Sequence, residues 1–541
     1  MTGVSGEASR TLALETIFAA VRTGDVAQAQ PLARAALAQG IEHPVLLNLR
    51  ALEHEEAGRF RDALKDLQRA HVLAPKDFAI LNACGLCLAR LQRPEEAIAC
   101  YDQALTIQPE FGPAWFNRAW ALELAGETVK ADQSYAKAVE INPENAQAWA
   151  SMAFLASRRG DVESAHSHAD RALALQPRHP TAQLALAGVE PPSQAEARLR
   201  ALLSTHLAAI DRALALGILG DALDASERPA GAFAAYTASN ELLRKENAAR
   251  FDAPGQPTVA QSLAWLNAWA EALAPSSQAG SPAPGRAGAK AHIFLLGFAR
   301  SGTTLIESVL ARHPDVVALE ERNTLEAAVL EFLGDAKDLA RLAYVPEGEL
   351  RALCDDYWAR VRQHGVEPTG RIFIDKNPFN TLRLPLIAKL FPGAKVLFAV
   401  RDPRDVVLSC FRRRFNVNSA TYEFLDLKRT AANYVGTMTL AETLRAKLGL
   451  DWRPIVYERL VADFGTEAKA VCAFVGADWR PDLADFAGRA RRGEVASASA
   501  AQIARGLYAD GAGHWRRYKT QLAPVLEILA PWVDHFGYPA D

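Results

Sequence analysis

Prolines recur at Pro75, Pro109, Pro143 and Pro177, a spacing of 34 residues that holds over four successive units. Alanines keep the same register at Ala63, Ala97, Ala131 and Ala165, and again at Ala70, Ala104, Ala138 and Ala172. A chain that repeats at a fixed interval of this length folds as stacked copies of one supersecondary unit, each touching only its neighbours. Each unit reads as two helices. Small side chains are needed where antiparallel helices cross closely, and the proline stops the second helix. One period further back lands on Ala29 and Ala36, so the array begins near residue 10. Register is lost after 179, where VEPPSQ interrupts, and returns over 213–246 with Leu216, Gly220, Leu223, Ala232 and Tyr236 in place.

In 112–145, Trp115, Ala119, Ala131, Tyr135, Ala138 and Pro143 occupy the pattern of the tetratricopeptide repeat; in 78–111, Leu81, Gly85, Leu88, Ala97, Tyr101, Ala104 and Pro109 do the same. The region 10–246 thus resembles that repeat family, which implies an α-solenoid of about six units with a concave groove for a peptide or protein partner. A spacer, or a dimerisation arm that would make the chain a homo-oligomer, is the alternative. Cys84 and Cys87 form a CxxC on the first helix of a repeat, with no second ligand pair at matching spacing, so they read as small buried hydrophobes.

The 541 residues are half hydrophobic and 23% charged, with 60 basic against 63 acidic residues and a net charge of −3. That balance speaks against nucleic acid as a partner. Apolar runs fall short of the roughly 20 residues that span a bilayer. The start, MTGVSGEASR, lacks the pattern of a signal peptide, and six cysteines in this length are no disulfide framework. A reduced, cytoplasmic protein of several domains is the expectation. Residues 247–290 read as a helical connector followed by a flexible linker, since APSSQAGSPAPGRAGAK over 274–290 cannot build a core.

The chemistry is concentrated in 291–541. HIFLLG (292–297) predicts a buried strand, FARSGTT a turn, and LIESVLARH a helix that stops at His313-Pro314. A strand, a turn and a helix of this composition cradle an oxyanion, because the first N–H groups of the helix point at it and the helix dipole favours negative charge there. Gly302 admits close approach, Ser301, Thr303 and Thr304 lie in the same turn with hydroxyl groups, and Arg300 adds a bidentate cation. The nucleotide-triphosphatase pattern GxxxxGK[ST] is not met, because Thr303 and Thr304 follow Gly302 where a lysine is required. This counts against a kinase acting through ATP and magnesium. AKVLFAV (394–400) predicts a second buried strand that ends at Arg401, with Ser409 two helical turns into the next element.

These paired segments resemble the sulfotransferase superfamily. The resemblance implies an α/β, P-loop-like domain with a parallel sheet, in which Arg300, Ser301, Gly302, Thr303 and Thr304 bind the 5′-phosphosulfate side of 3′-phosphoadenosine 5′-phosphosulfate (PAPS). It implies that Arg401 and Ser409 bind the 3′-phosphate, with Arg413 in reach of it. VVALEERNTL (316–325) and IFIDKNPFN (372–380) are similar to segments of tyrosylprotein sulfotransferases and of bacterial sulfotransferases fused to tetratricopeptide repeats. By that match Glu321 is the general base, and Arg300 and Lys376 stand near the transferring sulfuryl group. Tyr457 in VYERL, and Ser499 and Arg505 in the late segment VASASAAQIARGLY, complete the implied donor contacts. Ala299 stands where the family commonly has proline, Ala504-Arg505-Gly506 replaces a proline-bearing stretch, and His514 precedes Trp515 where a basic residue is usual.

The resulting expectation is sulfuryl transfer from PAPS to a hydroxyl acceptor, with no metal. The acceptor is a protein or peptide tyrosine held by the repeats, or a carbohydrate or small-metabolite hydroxyl. A repeat scaffold that retains nucleotide binding without turnover is a further alternative. Read singly, Glu320 and Glu321 are a solvated pair closing a loop, Lys376 a surface partner of Asp375 or Asp402, and Arg412–Arg414 a solvated helix face. His364 and His514 read as isolated structural residues.

Overall fold

The computed structural model describes residues 14–253, 255, 258–275, 288–486 and 511–541. Contacts divide the chain into two compact units, residues up to Ser157 with Val162–Ala185, and Arg158–Asp161 with Leu186–Asp541.

The first unit is built of consecutive helices, among them Pro44–Glu56, Phe60–Leu73, Phe78–Arg90, Pro94–Ile107, Gly112–Leu124 and Thr128–Ile141. The alanines in 34-residue register are the crossing points, and Ala63, Ala97, Ala131 and Ala165 are fully buried. Space there is tight: a Cβ on Gly85 would fall 2.6 Å from the ring of Tyr101 on the next helix. The bond from Trp115 Nε1 to the carbonyl of Pro109 (2.8 Å) recurs one period later from Trp149 to Pro143 (3.0 Å). Positions 24, 58, 92, 126 and 160 share a left-handed backbone that closes the helix before the next begins. Four of them are glycine; at the fifth, Gln92 adopts φ 60° without that freedom. Cys84 and Cys87 pack in the apolar core with Leu81, Leu88 and Tyr101, and burial pushes the Cys84 thiol up to about 12.

The second unit opens with helices that include α1 (Ala209–Ala225) and α2 (Pro229–Phe251). These keep the repeat signature, since Gly220 lies directly against the ring of Tyr236 as Gly85 does against Tyr101. The connector helix Val259–Ala272 packs on the helix Leu427–Lys447, where Asn267 donates to the carbonyl of Gly436 at 3.0 Å.

A five-stranded sheet follows: β1 (Ala291–Gly297), β2 (Val316–Glu320), β3 (Ile372–Lys376), β4 (Lys395–Val400) and β5 (Asp451–Val456), in the order β2-β3-β1-β4-β5. Every pairing is parallel. Parallel strands need helical crossovers that cover both faces, which is why β1 and β4 read as near-continuous apolar runs. Residues 293–296, 372–374 and 396–398 are buried to within 1% exposure. In open sheets of this kind the carboxyl ends of the strands form the binding edge. Among the described residues no helix is long and apolar enough to cross a membrane.

Candidate active site

All five strands end on residues singled out in the sequence. β1 runs into Phe298–Gly302 and then α3 (Thr303–Leu310); β2 ends at Glu320 and passes to Glu321; β3 ends at Lys376. β4 is followed by Arg401 and α4 (Pro403–Arg412), and β5 by Tyr457. Register explains the convergence: Glu320 pairs with Lys376 across β2 and β3, and Leu295 of β1 pairs with Lys376 from the other side.

The turn after β1 has an unusual backbone. Arg300 has φ 70° and Gly302 φ 100°, and a Cβ on Gly302 would meet the ring of Tyr457 at 2.8 Å. Only glycine fits at 302. A non-glycine residue in the left-handed region costs free energy, and such strain collects at functional sites. Glu321 also has positive φ, 49°, with its N–H donating to the carbonyl of Lys376 at 2.7 Å.

Arg300 Nε donates to Ser409 Oγ at 3.1 Å, joining the turn to α4. Arg401 donates to the carbonyl of Arg300 at 3.0 Å and to that of Gly511, and its guanidinium lies 4.9 Å from the centre of the Tyr457 ring. Burial, with the neighbouring charges of Arg413 and Arg401, pulls the Arg300 pKa down to about 9. The Nε atoms of Arg401 and Arg413 are buried without a hydrogen-bond partner. Crowded guanidinium groups with orphaned donors, facing the start of a helix, fit a polyanionic ligand and would be relieved by one.

Lys376 is completely buried. Its Nζ lies 2.8 Å from Glu321, 3.0 Å from Glu320 and 3.5 Å from Glu307 of α3. Burial alone disfavours the ammonium, and the three carboxylates outweigh it, so its pKa stands above the ordinary lysine range. Solvent distinguishes the carboxylates: Glu307 is 4% exposed, Glu320 16% and Glu321 41%. Glu321 is the one an incoming molecule can most readily reach. Beneath them, buried Asp375 accepts from Thr324 (2.7 Å), Tyr357 (2.9 Å) and Asn380 (3.3 Å), and burial raises its pKa to about 6.

Several readings made residue by residue change here. Glu320 and Glu321 are not a solvated pair, and Lys376 is no surface residue, because the register brings all three together at the sheet edge. Arg412 and Arg414 are not on a solvated face: they pair with Asp224 and Asp221 of α1 at 2.6 and 2.7 Å. His514 is not isolated either, lying 3.3 Å from Asp224. Sequence reasoning missed Glu307, Asp221 and Asp224. An acid within the apolar run LIESVL was the available signal for Glu307. Ser499 and Arg505 lie outside the described residues.

A helical repeat array preceding a parallel α/β sheet, with cations and one accessible carboxylate at the strand ends, defines the class of architecture. Comparison with known proteins sharpens it. Residues 292–481 match the sulfotransferase family, and 48–110, 112–145 and 134–167 match tetratricopeptide repeats. The chain thus carries tetratricopeptide repeats within 48–167 and a sulfotransferase-family domain at 292–481. An uncharacterized protein of Aquifex aeolicus (strain VF5) is 28% identical over 249 residues, 44% of this chain and 32% of its own length. Protein-tyrosine sulfotransferase 1 of Danio rerio is 24% identical over 258 residues, 46% of this chain and 72% of the relative; that of Homo sapiens is 32% identical over 130 residues, 23% and 35% of the two chains. The chain thus spans about a third of the first of these relatives. A tetratricopeptide repeat protein from Parabacteroides merdae ATCC 43184 has TM-score 0.36 at 19% identity, over 43% of this chain and 93% of that one.

Proposed function

We propose that the chain transfers a sulfuryl group from PAPS to a hydroxyl acceptor and releases adenosine 3′,5′-bisphosphate. The observation that carries this reading is the meeting of Arg300, Arg401 and Ser409 at the phosphate-type turn, beside a Lys376–Glu321 pair at the same sheet edge. Its functional division is a repeat region 10–246, a connector 247–290 and a catalytic region 291–541.

In this mechanism Glu321 removes the acceptor's hydroxyl proton as the acceptor oxygen bonds to sulfur and the sulfur–oxygen bond to the leaving phosphate breaks. A base so placed contributes about 10²–10⁴-fold. Lys376 and Arg300 stabilise the negative charge that builds between sulfuryl group and leaving phosphate, an effect larger in the transition state than before it. Arg401, Ser409 and Arg413 hold the 3′-phosphate, and the Tyr457 ring backs Arg401. Protein cations suffice for a group of such low charge, so no metal is required. Among acceptors, the protein-tyrosine sulfotransferase relatives and the repeats favour a protein or peptide tyrosine over a carbohydrate or metabolite hydroxyl.

Calorimetric titration with adenosine 3′,5′-bisphosphate, against ATP with magnesium, tests the reading. Binding of the bisphosphate that weakens at least tenfold in Arg401→Ala is the expected result, roughly the worth of one charge-assisted contact. Binding of ATP with magnesium instead overturns it.

A further inference from the structure

Three arginines follow one another where α4 ends. Arg412 donates to Asp224 at 2.6 Å, and Arg414 to Asp221 at 2.7 Å, both acids lying on α1. Arg413, between them, makes no ion pair among the described residues; buried donors without a hydrogen-bond partner remain on all three, at Nε of Arg412 and Arg413 and at Nη1 of Arg414. The backbone explains the sorting. Arg413 leaves the helix with φ −90° and ψ 141°, an extended conformation in which successive side chains point to opposite sides. With Arg412 and Arg414 hydrogen-bonded to α1, Arg413 keeps only a through-space attraction to Asp221 and is not held by it. Its charge is felt at Arg300, whose guanidinium it destabilises.

Both acids are braced for this task. Asp224 also accepts from the Tyr518 hydroxyl at 2.7 Å, and its carbonyl accepts from Arg517 at 2.7 Å. It thereby ties down the segment after Gly511, whose own carbonyl receives Arg401 and whose Gly513 and Trp515 N–H groups reach Asp405 of α4. Asp221 accepts from the Tyr236 hydroxyl at 2.9 Å. Gly217 leaves the path open for Arg414, since a Cβ there would fall 2.7 Å from that side chain. On α2, Asn240 donates to the carbonyl of Phe411 at 2.8 Å, and Phe233 stacks on Phe411 at 5.2 Å, so the whole hairpin is seated on α4. Burial opposes ionisation of both acids, and the surrounding arginines, with His514 and Tyr518 at Asp224, hold both below the usual carboxylate range.

We infer that Asp221 and Asp224, on the last repeat-like hairpin, are positioning residues of the donor site: they draw Arg412 and Arg414 aside and leave Arg413 directed at the phosphate-binding turn. This rests on the reading that the turn and α4 hold adenosine 3′,5′-bisphosphate. The hairpin then works as part of the donor site although its sequence is that of a repeat.

Titrating the full chain with adenosine 3′,5′-bisphosphate and with adenosine 5′-phosphate measures the discrimination owed to the 3′-phosphate. Asp224→Asn and Asp221→Asn are each expected to reduce that discrimination about tenfold, the scale of one charge-assisted contact. Affinity for adenosine 5′-phosphate should stay within a factor of about two, and Asp224→Glu should restore part of the loss. Removing a carboxylate also makes the region more positive, which by itself tightens both ligands alike. Unchanged or increased discrimination overturns the inference, as does equal weakening of both ligands, the mark of a general structural defect. If Asp224→Asn does not fold, Asp221→Asn, whose side chain has fewer partners, decides alone. A wild-type chain that binds neither ligand removes the parent reading and this inference together; discrimination that survives both substitutions removes only the inference.

Discussion

The repeat unit buries mostly carbon, whereas the sheet unit buries charge. Ala63, Ala97, Ala131 and their register partners fill the helix crossings of the first with methyl groups. The second encloses Lys376, Asp375, Glu307, Arg404 and Asp405, all of them buried. A methyl-filled crossing excludes water and can be repeated along the array, but does no chemistry. A buried charge is costly unless it is paired, so it is retained where several elements can surround it. Local contacts repeated along a line make a uniform array; long-range contacts between strand ends gather charged groups at one edge. The α1–α2 hairpin stands between the two kinds, with repeat packing inside and two carboxylates turned to the arginines of α4.

The contrast breaks most visibly at Glu321. Glu321→Ala should cut turnover by about 10²–10⁴ while bisphosphate affinity holds, because the lost group acts on the acceptor proton and its removal leaves Lys376 with Glu320 and Glu307. Single-turnover rates on a tyrosine peptide, with calorimetry on the same sample, check this; retained turnover would remove Glu321 from its role.

Acid sensitivity should likewise belong to the sheet unit. His292 is sunk among Phe294, Tyr357, Trp358, Phe373 and Phe391, and burial lowers its pKa from 6.5 to about 3. Its depressed value means that the unfolded chain takes up a proton first, so stability is full above pH 6.5 and is lost as pH falls toward 3. Asp375, joined to His292 through the Tyr357 hydroxyl, has its pKa raised to about 6 and acts in the opposite sense between pH 6 and 3.8. His292→Phe should therefore gain on the wild type as pH falls from 6.5 to 4, by about 1.4 kcal/mol per pH unit. Denaturant unfolding of both proteins across that range reads the slope, and a constant difference would refute it.

The smallest effect lies in the repeats. Gln92 holds a left-handed turn that glycine holds at positions 24, 58, 126 and 160, so Gln92→Gly should stabilise the repeat unit by about 1 kcal/mol. Thermal unfolding should show the gain with bisphosphate affinity unchanged. A loss of stability would show that Gln92 contributes contacts worth more than its strain.

How far each region could be read beforehand follows from the same difference. The repeats were legible because their contacts lie within one period: an alanine at each crossing, a proline at each end. β1 and β4 were legible as apolar runs, and Arg300, Glu321, Lys376, Arg401, Ser409 and Tyr457 through family likeness. That Lys376 is buried among three acids was not legible, since Glu307, Glu320 and Glu321 lie between 55 and 69 residues away along the chain. The arginine run looked like a wet helix face because its partners, Asp224 and Asp221, are 188 and 193 residues earlier.

The period, the small residues at the helix crossings, the apolar strands and the chemical inventory at their ends can all be read along the chain, because each depends on neighbours in sequence. Which carboxylate is open to solvent, which arginine makes no ion pair among the described residues, and that the α1–α2 hairpin pairs with α4 all follow from tertiary contacts. Those outcomes depend on strand order and on the desolvation of charges brought together from distant segments, and neither is written in any local stretch of residues.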